Sequence, residues 1–176
     1  MQLKTSVVKF SILVFFLFSI NHTQGQSKDF EIEKVVFTMK GYEAQPDYDI
    51  IIYNDKTIIF NARSNNFKEK IKGDVVPFGT DNNGNNIRAS EVRGIFKSKL
   101  KRKKFKIILD IIYSLKDEFA QRKFTSNNLH ESEIILKVII SNNEAKFIHD
   151  IGMKGSKNLI ELYKLIDDLR FSQNWK

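Results

Sequence analysis

Cysteine is absent from all 176 residues, His occurs three times, Pro twice, and acidic side chains fall short of basic ones, leaving a net charge of +8. Without Cys there is no disulfide scaffold, no thiol nucleophile and no Cys-ligated zinc or iron–sulfur centre. The scarcity of His leaves only His22, His130 and His149 for general-base or metal-ligand work. No H-E-x-x-H, no G-x-S-x-G and no glycine-rich phosphate loop occurs, so no cofactor or resident metal is expected. A long apolar stretch is missing too: residues 10–20 (FSILVFFLFSI) make a run of 11, against the ~20 needed to span a bilayer. What the chain does have is apolar bulk. Hydrophobic residues reach 41%, with 15 Phe, which excludes a disordered or low-complexity polymer and fits one domain of ordinary globular composition.

The short apolar run gains meaning from its flanks. Lys4 and Lys9 precede it, and Thr23 and Gly25 stand at the −3 and −1 positions of a cut before Gln26. A positive start, a short apolar stretch and small residues at the cut predict a secretory signal over residues 1–25, followed by a single domain over residues 26–176. Loss of Lys4 and Lys9 would lower the net charge from +8 to +6. The expected location is therefore outside the cytosol, periplasmic or extracellular, with no transmembrane segment in the processed chain.

Residues 31–40 and 48–53 alternate apolar and polar side chains with β-branched and aromatic enrichment, which predicts strands. Asn54-Asp55-Lys56 is a turn, and residues 57–62 return as the second arm of a hairpin. Residues 63–86 are polar and Asn-rich and read as an irregular excursion, with one short strand around residues 74–78. A further short strand is expected over residues 93–100. The period then changes: Phe105, Ile108, Leu109, Ile112 and Leu115 share one face of a helix. Residues 133–140 form a nearly continuous aliphatic run, expected as a central strand turned by Asn142-Asn143 and paired with residues 145–151. Asn158 is the expected cap of a last helix whose stripe is Leu159, Leu162, Ile166 and Leu169, with Asp167, Asp168 and Arg170 outside. The predicted class is α+β: an antiparallel sheet built from hairpins, two helices on one face, order β-β-β-(β)-α-β-β-α.

Several segments in this order resemble a family of small exported bacterial proteins, common in Bacteroidetes and described only as a domain of unknown function. The likeness rests on the Tyr-rich strand closed by a turn (residues 48–60), Gly94 leading into the helix, Asp117-Glu118-Phe119, Asp150-Ile151-Gly152, and a final helix ending near Trp175. Members of that family carry a Cys-x-Gly-x-Cys-Pro-like stretch, where this chain has Gly41-Tyr42-Glu43-Ala44-Gln45-Pro46. The resemblance implies an exported α+β domain, and any role of those cysteines does not transfer.

Seven cations lie within residues 97–106: Lys97, Lys99, Lys101, Arg102, Lys103, Lys104 and Lys106. Such a ridge is either a solvated face that keeps a basic protein soluble or a contact surface for an anionic partner, an envelope polyanion above all. Nucleic acid is not expected, because no recognition motif accompanies the charge. Asp81-Asn82-Asn83-Gly84-Asn85-Asn86 alternates oxygen ligands but lacks the spacing and the carboxylates of a calcium loop. His149 and Asp150 are neighbours on a strand and point to opposite faces, so they cannot pair with each other; His149 is expected under a helix. Asp117-Glu118 and Asp167-Asp168 are neighbours on helices, about 100° apart, unlike facing glycosidase carboxylates. Phe171 and Trp175 could stack a ligand, but a terminal Trp more often pins a helix end to the core. The leading expectation is a non-enzymatic, envelope-associated binding protein. A hydrolase-like enzyme using His149 or His130, and an inhibitor or immunity-type protein binding a secreted protein, are the alternatives.

Overall fold

Alternation along the first strands decides which side of the sheet is covered. The structure, a computed structural model, describes residues 31–43, 45–68, 78–80, 86–88, 91–128, 130–141 and 144–176. In β1 (Ile32–Lys40) Val35, Phe37 and Met39 are buried, while Lys34, Val36 and Thr38 face the other way. In β2 (Asp47–Tyr53) Tyr48, Ile50 and Ile52 are buried, and in β3 (Thr57–Ser64) Ile58, Phe60 and Ala62. The turn between β2 and β3 is fixed locally: the Asp55 carboxylate accepts from the Thr57 amide and hydroxyl at 2.8 Å each, and Lys56 takes φ 68°.

Beyond the excursion, β4 (Phe78–Thr80) and β5 (Asn86–Arg88) make a small separate antiparallel pair. β6 (Gly94–Lys99) then joins the outer side of β3. Helix α1 (Arg102–Ser114) and the short α2 (Lys116–Gln121) follow, then β7 (Lys123–Phe124), β8 (Glu133–Ile140), β9 (Ala145–Ile151), α3 (Lys157–Asp167) and the single turn α4 (Leu169–Ser172). The main sheet has seven strands in the order β6-β3-β2-β1-β8-β9-β7. All its pairs are antiparallel except β7 with β9, which makes the sheet mixed.

One face of this sheet is the core. Ile108 and Ile112 of α1 and Leu159, Leu162, Tyr163 and Ile166 of α3 are buried with the inward side chains of the strands. The Tyr163 ring packs 5.7 Å from that of Phe37. The α+β architecture agrees with the pattern of the sequence, with several local corrections. β3 runs on to Ser64, because Arg63 is tied down by Asp47, its Nε donating to Oδ1 at 2.7 Å, and by Asp49. The cap of α3 is Ser156, whose hydroxyl accepts from the Leu159 amide at 3.3 Å, so the helix begins ahead of Asn158. The expected strand at residues 74–78 has only Phe78 among the described residues, where β4 starts. Residues 1–30, most of the Asn-rich run (81–85) and Asn142-Asn143 lie outside them.

Candidate functional site

The seven cations of the ridge fall on three kinds of backbone, and the fold separates them. In β6, Phe96 packs toward the core, so Lys97 and Lys99 project to the opposite face. Leu100 is buried and turns the chain, and Lys101 occupies the N-cap of α1 in extended conformation, φ −63° and ψ 138°. No side chain caps this helix, and its first turn holds Arg102, Lys103 and Lys104 with no acidic residue. The uncapped amides and three cations therefore stand at the positive end of the helix dipole, each cation opposing it by ~0.3–1 kcal/mol.

A third segment comes from the end of the chain. Trp175 packs against Phe60, ring centroids 5.4 Å apart, and its indole N–H donates to the Arg170 carbonyl at 2.9 Å. With Trp175 anchored, Lys176 reaches the edge of β6: the Lys97 amide donates to a main-chain oxygen of Lys176 at 3.0 Å, and the Lys176 amide to the Lys97 carbonyl at 3.1 Å. The Lys104 ammonium donates to the Ser172 hydroxyl at 2.9 Å, joining α1 to the end of α4.

These segments enclose an open cleft of about 800 Å³ lined by Lys97, Lys99, Lys101, Lys104 and Lys176, with Ser98, Ser172, Gln173 and Asn174 between them. Every lining residue carries a cationic or a neutral hydrogen-bonding side chain. Lys99 is also held by Asp55, ammonium to carboxylate at 2.9 Å. That contact, with the Thr57 amide and hydroxyl, holds the Asp55 carboxyl well below the ordinary range. Of the seven cations in the sequence ridge, Lys97, Lys99, Lys101 and Lys104 thus converge. Arg102, Lys103 and Lys106 do not line the cleft, because successive helix residues turn by about 100°. Lys106 instead lies 3.9 Å from Asp110, one turn on. Sequence reasoning missed Lys176 and the polar residues before it. The only local signal for them was Trp175, an aromatic anchor close to the last residue.

The other candidates are placed elsewhere. His149 lies on the face opposite the described helices and not under one of them, since Ile148 and Asp150 are the buried neighbours. Its Nε2 stands 2.9 Å from Glu133 Oε1, and Lys40 holds the other oxygen of that carboxylate at 3.1 Å. Asp150 is fully buried and accepts from the Lys154 and Gly155 amides at 2.8 and 3.0 Å, closing the turn into α3. His130 is exposed, its ring 4.7 Å from that of Tyr42. Asp167 and Arg170, expected outside, form an inward cluster. Arg170 pairs with Asp167 at 2.7 Å and lies 4.4 Å over the Tyr48 ring, and the Tyr48 hydroxyl donates to Asp167. Asn66, fully buried, accepts from Arg170 at 3.3 Å and donates to the Asp47 and Ser64 carbonyls. This cluster lies against the core and fastens α3 and α4 to the sheet. No group of three metal-ligating side chains occurs among the described residues, and none of their helices is long and apolar enough to cross a membrane.

Compared with known proteins, residues 38–170 match the sequence model of one family, described as a domain of unknown function (DUF6438). No curated protein and no solved structure matches.

Proposed function

We propose a function for a chain that belongs to the DUF6438 family: an exported, non-enzymatic binding protein that contacts an anionic partner through the cleft between β6, the start of α1 and residues 172–176. The observation that carries this reading is the convergence of five lysines from three separate segments around a cleft with no acidic lining residue. Cations scattered on a surface serve solubility, whereas cations drawn together repel one another and raise the local potential felt by an anion. The uncapped positive end of α1 adds to that potential.

Less supports the alternatives. His149 has a carboxylate partner, but that carboxylate is shared with Lys40. An inhibitor acting through residues 63–86 would rely on a segment most of which is outside the described residues.

The test is to express the full chain in an export-competent bacterium and compare it with a Lys97→Glu/Lys101→Glu/Lys104→Glu variant. Heparin, lipopolysaccharide and anionic vesicles serve as probes at low and physiological salt. The unchanged protein should bind at least one probe, more weakly as salt rises, and the variant should not. Failure of all three probes at low salt would overturn the proposal. Intact mass of the product should show a chain beginning at Gln26; a product retaining Met1 would refute the export half alone.

A further inference from the structure

The free edge of β6 already holds one rung of a strand. In the β3–β6 pair, Lys97 stands opposite Ile59 and Ser98 opposite Ile58, and the Leu100 amide donates to the Lys56 carbonyl at 2.9 Å. In an antiparallel pair the hydrogen-bonded positions alternate. Ser98, Phe96 and Gly94 therefore direct their main-chain groups at β3, and Ile95, Lys97 and Lys99 direct theirs away from the sheet. Lys97 bears this out, because it exchanges both of its main-chain hydrogen bonds with Lys176. Among the described residues, the outward groups of Ile95 and Lys99 have no main-chain partner. Ile95 is also 73% exposed.

We infer that this edge and the lysine cleft together bind an extended acidic peptide, added to β6 as a further strand with its carboxylates against the lysines. This deepens the proposed function and rests on it. Strand addition draws affinity from main-chain hydrogen bonds and specificity from alternate side chains. Lys97 meets an acidic residue on its own face of the added strand, where alternate residues share a face, and Lys99, held by Asp55, stands beside it. Lysines on an edge repel a second copy of the same edge, so the feature that prevents self-pairing selects an acidic partner. A glycan or phosphate would meet the cations but has no N–H and C=O at the strand repeat. Lys176 marks the path, and the incoming strand takes its place at Lys97.

The experiment uses the full chain from the export-competent host and four probes. These are a peptide alternating Glu with Val and Thr, the same peptide N-methylated at the even or at the odd positions, and heparin. N-methylation of a register that faces β6 removes its donors and leaves its charge unchanged. Anisotropy should show the plain peptide binding, one methylated register binding about as well, and the other losing about tenfold or more, the size expected for one or two lost main-chain hydrogen bonds. Hydrogen exchange should show the Ile95 and Lys99 amides gaining protection with peptide and not with heparin. A Lys97→Glu/Lys101→Glu variant should lose the peptide with its melting temperature kept. If heparin binds while the peptide does not, or both methylated registers bind like the plain peptide, strand addition is overturned and the anion cleft stands. If no probe binds, both readings fall.

Discussion

Tyr48 shows how one side chain can belong to two layers. Its ring is fully buried on the core face of β2, between Phe37 and Phe60 with centroids at 6.0 and 5.9 Å, and under the Arg170 guanidinium. Its hydroxyl reaches Asp167 at the end of α3. Burial pushes this hydroxyl well above its ordinary value, and the Asp167 charge pushes the same way. Tyr163 is raised likewise, by burial first and by the Asp150 charge second. Above pH ~10 an unfolded chain releases these protons while the folded one keeps them, so stability is fully present below that pH and declines above it. Absorbance titration should therefore show Tyr48 and Tyr163 ionising only as the protein unfolds; ionisation of all five tyrosines in one step near pH 10 in still-folded protein would contradict the cluster. Tyr48→Phe keeps the ring and leaves Asp167 with Arg170, so urea denaturation should show a loss of about 1–2 kcal/mol. None of this was legible from the residues alone. Asp167 and Arg170 lie on the polar side of a helical wheel, and only the short turn after α3 folds them back over Tyr48.

At the scale of elements, the strands and helices were largely visible in the sequence because their signals are local. Alternation gave β1, β2 and β3, the aliphatic run gave β8, and the change of period gave α1. What local signals miss is where an element begins and what it lies against. Helix α1 starts at Arg102, ahead of its first apolar position, so three cations occupy its first turn without an acid or a cap. Gly41 is a comparable case: a side chain there would meet the Gln45 carbonyl oxygen at 2.3 Å, in the turn closed by the Gln45 amide on the Tyr42 carbonyl. That close approach leaves no room for a side chain at this turn. The uncapped start of α1 allows stability and binding to be separated. Arg102 and Lys103 oppose the dipole but do not line the cleft. An Arg102→Glu/Lys103→Glu variant should therefore gain roughly 0.3–1 kcal/mol per site in denaturation. Its heparin binding at physiological salt should fall less than that of Lys101→Glu/Lys104→Glu, because neither Arg102 nor Lys103 lines the cleft. Equal loss in the two variants would mean that the ridge acts as a diffuse field and the cleft has no special place.

For the whole molecule, net charge and charge placement lead to different expectations. The chain carries +8, and its densest stretch holds seven cations in ten residues, which from sequence suggests a contact of about that many charges. Folding changes that number in both directions. Three of the seven do not reach the cleft, and Lys176 joins from the far end of the chain because Trp175 is anchored on Phe60. Lys99 is held at 2.9 Å by Asp55, which offsets its charge before any partner arrives. Among the described residues Lys104 is engaged by a neutral hydroxyl and by no carboxylate, so it keeps its charge for an anion. The working set is then Lys97, Lys101, Lys104 and Lys176. Each cation that contacts a polyanion releases about one condensed counterion, so the slope of log affinity against log salt counts the contacts. With heparin as probe that slope should correspond to about four ions, and Lys99→Ala should leave it nearly unchanged while Lys176→Ala lowers it by about one. A slope near seven, insensitive to Lys176, would return the binding surface to the linear ridge and show that the fold adds nothing to it.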